Sequence, residues 1–120
     1  MNRLLILSLL LVSSNVALAQ NLKAERNTTY AQFTEQYNRS LDGFEAAIKQ
    51  AKADPSDRNT LQLCAQGRLV VEVMQKNRAF KNEFEQDSGR SFDAAFQHWQ
   101  QLAENNRADC AIIQKRSAAN

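Results

Sequence analysis

Apolar residues crowd one arc of the stretch Thr60 to Phe84, and the rest of the chain reads as cover for it. On a helical wheel, the positions from Leu69 and Phe80 round to Val71 and Cys64 sweep roughly 220°. A surface helix buries a stripe only a little over ~100° wide, so this helix calls for neighbours on two sides. Upstream, Tyr30, Phe33, Tyr37, Leu41, Phe44, Ile48 and Ala51 recur in steps of three and four, the seam of an amphipathic helix. Downstream, Phe92, Ala95, Phe96, Trp99, Leu102, Ala103, Cys110 and Ile113 share one face of a third helix.

Punctuation falls between these patterns. Asp54-Pro55-Ser56-Asp57 stops the first helix and starts the second, with Pro55 in its first turn and Asp54 as its N-cap. Ser88-Gly89-Arg90-Ser91 makes the next turn, with Gly89 as a left-handed terminator and Ser91 as the following N-cap. Asp42-Gly43 interrupts the first seam, and Asp42 with Glu45 resembles a capping box. The seam keeps its phase through Phe44, which favours one helix bent at Gly43 over two.

The expectation is an all-α, small, elongated up-down-up three-helix bundle. Its helices cover about 22–53, 55–87 and 91–116 of a single domain spanning 20–116. A break at Gly43 would make it four helices. Residues 20–28 are polar and are expected to fray, and 117–120 form a flexible tail. Gly67 lies inside the apolar arc, where it predicts close approach of a neighbouring helix.

The first nineteen residues stand outside this pattern. Arg3, the run LLILSLLLV and the Ala17-Leu18-Ala19 site make a secretory leader, with cleavage expected between Ala19 and Gln20. The apolar run is short for a bilayer span, which sets aside an N-terminal anchor. The expected location is therefore periplasmic or secreted. Cys64 and Cys110 are the only cysteines, and in an oxidising compartment they read as a disulfide. In an antiparallel hairpin turning at Gly89 they fall within ~3 Å of the same level. Closing that loop stabilises by about 4 kcal/mol in the chain-entropy model.

Charge and candidate chemistry narrow the function by exclusion. Once Arg3 leaves with the leader, fourteen Lys and Arg face thirteen Asp and Glu. That balance gives no reason to expect nucleic acid, or a membrane after leader cleavage. Arg68, Lys76, Arg78 and Lys81 make one side of the second helix basic, read as a solvated face. No catalytic cluster, phosphate loop or metal-ligand spacing is present, so the expectation is no enzyme, no metal and no cofactor.

Met74 and His98 fall at nearly the same level of the hairpin, as axial haem ligands would. The wheel places His98 well off its apolar face and Met74 in the core, which favours packing over ligation. Asn77 and Asn106 are polar residues on apolar faces, read as register or wet-edge positions. The aromatic row from Tyr30 to Phe44 reads as core, and the glycosylation patterns at Asn27 and Asn38 as chance matches in a chain with a bacterial-type leader.

What is left is a small exported, non-enzymatic helical protein that binds another protein in the bacterial periplasm, as an inhibitor, immunity or chaperone-like factor. A homodimer is the alternative partner. The alternative function is a carrier of haem or a small apolar ligand within the bundle. In general character the chain resembles periplasmic stress chaperones and toxin-neutralising immunity proteins, and no residue role carries over from either.

Overall fold

The computed structural model describes residues 23–119. The leader expected at 1–19 lies outside them. Within them the chain is all-helical, with five helices in an up-down-up path: α1 (Tyr30–Ala53), α2 (Asp57–Lys76), α3 (Lys81–Ser88), α4 (Phe92–Asn105) and α5 (Arg107–Ala119). A 3-10 turn, Arg78–Phe80, links α2 to α3.

The first helix begins at Tyr30, not near residue 22. Thr29 caps it: its Oγ1 accepts the Gln32 N–H at 3.2 Å, while Gln32 Oε1 accepts back from the Thr29 N–H at 3.3 Å. Helix α1 then runs unbroken through Gly43, so the four-helix alternative at that position does not occur. Asp54 closes α1 as its C-cap, and Ser56 caps α2 in place of the expected Asp54, its Oγ accepting the Asn59 N–H at 3.2 Å. Asn59 Nδ2 donates back to the Asp54 carbonyl at 2.8 Å, which locks the corner.

The second expected helix, 55–87, is instead interrupted at Asn77. This residue leaves helical geometry at φ −119°, ψ 29°, and its side chain replaces the lost helical bonds. Asn77 Nδ2 donates to Val73 O at 2.7 Å and to Glu25 O at 2.8 Å, and Oδ1 accepts the Asn27 N–H at 2.9 Å. The break thus exists to receive residues 23–29, which form a seated strap where the sequence predicted fraying. Within the strap Ala24 is buried, Lys76 Nζ donates to Ala24 O at 3.0 Å, and Gln36 Nε2 donates to Lys23 O at 3.0 Å. Asn77 is 1 % exposed with every polar atom engaged, as a buried amide requires.

Gly89 takes the left-handed conformation, φ 69°, and its N–H closes on Glu85 O at 3.0 Å. Ser91 caps α4 through the Ala94 N–H at 3.1 Å. The third expected helix, 91–116, also divides, at Asn106, whose backbone and side-chain nitrogens both donate to Leu102 O. Helix α5 then continues to Ala119, into the stretch expected as a tail. Cys64 and Cys110 form the disulfide that joins α2 to α5, with Cα atoms 6.2 Å apart.

The core is aromatic and lies toward the strap end. Phe33 stacks on Phe80 and Tyr37, each at 5.8 Å between centroids, and Phe84 meets Phe92 edge-on at 5.4 Å. Val73, Met74 and Phe96 complete the cluster. The basic side chains once read as a single solvated face have separate tasks: Arg78 lies over the Phe96 ring at 4.6 Å, and Lys81 Nζ donates to Asp93 at 3.0 Å.

Candidate partner-binding cleft

The wide apolar stripe of α2 is covered only in part. Val70, Val73 and Met74 are sealed, whereas Leu61, Leu63, Cys64, Leu69 and Val71 remain half-exposed. Helices α1 and α4 both lie on α2 and run in the same direction. Among the described residues one ring pair bridges them: Phe44 and Trp99 meet edge to face, 5.1 Å between centroids at 89°.

A hollow opens on each side of this bridge. The first, about 720 Å³, is bounded by Tyr37 and Leu41 on α1, Phe84 on α3, and Ala95, His98 and Trp99 on α4. The second, about 410 Å³, is bounded by Phe44 and Ile48 on α1, Leu63 and Gly67 on α2, Leu102 on α4 and the Cys110 end of the disulfide. The two lie in line between α1 and α4 as one predominantly apolar cleft, floored by Phe84 of α3 in the first hollow and by Leu63 and Gly67 of α2 in the second. Burial in the first hollow pushes the Tyr37 phenol above its ordinary value, with the Trp99 side chain and the Arg90 charge pulling the other way.

Behind the cleft, on the other side of the α1–α2 seam, lies a polar slot of about 500 Å³ lined by Ala47, Gln50, Asn59, Gln62 and Gln66. Gln66 is 6 % exposed, and its Oε1 has no hydrogen-bond partner. That oxygen faces Gly43, where an added Cβ would meet it at 2.6 Å. Close approach was expected at Gly67 instead. There an added Cβ would meet only the Phe44 ring, at an ordinary 3.5 Å, so the tight contact between α1 and α2 belongs to Gly43.

The residues weighed for chemistry do not converge. Met74 is sealed in the core, while His98 is exposed with its ring edge-on to Trp99, and no hollow is lined by both. Asn106 sits exposed at the α4–α5 break and Asn77 lies buried under the strap. Among the described residues no group of three or more His, Cys, Asp or Glu is close enough to hold a metal ion. None of the described helices is long and apolar enough to cross a membrane. The formed disulfide points to an environment outside the reducing cytoplasm.

Sequence reasoning located the apolar surplus of α2 but not the cleft, because a wheel cannot say how far apart two covering helices settle. No protein family, curated protein or solved structure matches the chain.

Proposed function

We propose that this is a small exported, non-enzymatic protein that binds another protein in the bacterial periplasm through the cleft between α1 and α4. The observation that carries the reading is the pair of apolar hollows in line between α1 and α4. Apolar side chains on both walls of the cleft are only partly buried, and apolar surface that is contiguous and rimmed by polar residues marks interaction sites. The leader-like first nineteen residues and the disulfide support export.

The test is affinity capture from the native host's periplasmic extract with two baits, the wild-type protein and Leu41→Glu/Ile48→Glu. A protein held by the first and released by the second supports the reading, provided circular dichroism shows the double variant folded. If the two baits retain the same proteins, or none, the cleft is not the binding surface.

A second reading rests on the hollow beside the disulfide, whose apolar lining suits a small apolar ligand. It makes the protein a carrier. The separation of Met74 from His98 leaves ligation of haem by that pair without support. Native mass spectrometry decides between the readings, since a carrier retains a non-protein mass.

A further inference from the structure

We infer that the cleft seats one helix of a partner protein, with large apolar residues two turns apart, two small residues between them and carboxylates toward both ends. The inference rests on the reading of the cleft as a protein-binding surface, and it names the occupant. Because α1 and α4 run parallel, a fourth helix laid between them, over Phe84 of α3 and Leu63 of α2, completes a four-helix bundle.

The spacing of the hollows sets the pattern. Along α1, seven residues separate the Tyr37–Leu41 pair from the Phe44–Ile48 pair, and along α4 the same step leads from Ala95 to Leu102. At 1.5 Å per residue this is about 10 Å, the rise between positions i and i+7 of a docked helix. Between the hollows the Phe44–Trp99 contact raises the floor. The side chains at i+3 and i+4 facing it must therefore be Gly, Ala or Ser.

Charge sets the ends. The charged side chains lining the two hollows are Arg90 at one and Arg68, Arg107 and Asp109 at the other. Among the described residues Arg68 and Arg90 have no ion-pair partner, and Arg107 reaches only Glu104, at 3.7 Å on the surface. Three cations against one anion favour an acidic ligand, and Arg90 and Arg107, in opposite hollows, place its carboxylates toward the two ends, with Arg68 nearer the bridge. At exposed positions such charges act mainly on partner choice and association rate, and they weaken with salt.

The test uses stapled helical peptides with Leu at i and i+7, Ala at i+3 and i+4, and Glu at both ends, titrated against the purified protein by fluorescence anisotropy. The expected result is binding that falls with added salt, and that falls roughly tenfold when Lys replaces Glu. A Phe at the central position should abolish it, and Arg90→Glu/Arg107→Glu should reverse the charge preference. Equal binding of acidic and basic peptides, lost in Leu41→Glu/Ile48→Glu, overturns the acidic occupant while keeping the cleft as a protein-binding surface. No peptide binding, alongside a periplasmic protein captured by wild type and released by the double variant, overturns the helical occupant alone. If nothing is captured either, the functional reading falls with it. Self-association in light scattering that the double variant removes would make the occupant a second copy and overturn the inference. Should the glutamates unfold the chain, Ala95→Trp blocks the first hollow without burying charge and serves in their place.

Discussion

The Phe44 and Trp99 rings meet edge to face with centroids 5.1 Å apart, and this contact divides the cleft in two. Trp99 is the only tryptophan in the chain, so its fluorescence reports on the bridge. Phe44→Leu should lower stability by about 1 kcal/mol, the usual worth of an aromatic pair beyond its area, and shift the emission to the red as water reaches the indole. An unchanged spectrum would mean that the bridge does not persist in solution.

Asn77 should be the most sensitive polar position. Its replacement by Ala strands the Asn27 N–H, leaves the Glu25 carbonyl only its longer bond from Asn27 Nδ2 at 3.3 Å, and removes the bond to Val73 O. The expected loss is about 2–3 kcal/mol in urea unfolding. Asn106→Ala, at an exposed helix junction, should change stability by under about 0.5 kcal/mol. Equal costs would show that the strap contributes nothing.

The two helical glycines should respond in opposite order to the expectation from the sequence. Gly67→Ala meets only ordinary contact with Phe44 and gains helix propensity, which stabilises by up to about 1 kcal/mol. Gly43→Ala displaces the Gln66 amide, which has no hydrogen bond to lose, so its gain is smaller, about 0.5 kcal/mol. Thermal melts of both variants check the ranking, and a destabilised Gly67→Ala would contradict it.

Alkaline pH should weaken the fold. Burial holds the Tyr30 and Tyr37 phenols above 10.0, with the hydrogen bond to Asp87 adding to the effect at Tyr30, and the hydrogen bond to Asp93 holds the exposed Lys81 above 10.5. In each case the folded state keeps its proton longer than the unfolded state does. Stability is therefore full below about pH 10 and declines as pH climbs through the raised folded values. Urea midpoints measured across that range should fall, and less steeply in Tyr37→Phe. A flat profile in the wild-type protein would refute the assignment.

Removing the disulfide by Cys64→Ala/Cys110→Ala should cost up to about 4 kcal/mol. The loss should concentrate in α5, whose remaining ion pair to α2 among the described residues is the exposed Arg116–Asp57 contact at 2.9 Å. Hydrogen exchange would then quicken in α5 well before α1. Uniform acceleration along the chain would show that α5 is not held separately.

The order and direction of the helices were legible in the sequence because each boundary carries its own local chemistry. Pro55 stops α1, Gly89 turns left-handed and Ser91 caps α4, all within a few residues of the bonds they make. The same locality explains the failures. Nothing adjacent to Asn77 marks a break, since its reason lies 50 residues upstream at Asn27. Gly43 is rightly read as lying within one helix, because the seam keeps its phase, but the Gln66 side chain that presses on it belongs to another helix and leaves no local sign. The cleft was half-visible: the excess apolar arc of α2 announced incomplete cover, while the bridge that divides it is a tertiary event.

The strap also fixes an order of events in folding. Its bonds reach from Asn27 and Ala24 to Asn77 and Lys76, across 50 and 52 residues. Closing so long a loop in an open chain costs about 3.5 kcal/mol, close to all that a few net hydrogen bonds return. Once α1 has paired with α2, Tyr30 already lies beside Phe80 and the loop left to close is a few residues long. The strap is therefore the last segment to seat and the first to lift, and the amino end of the domain is where unfolding begins.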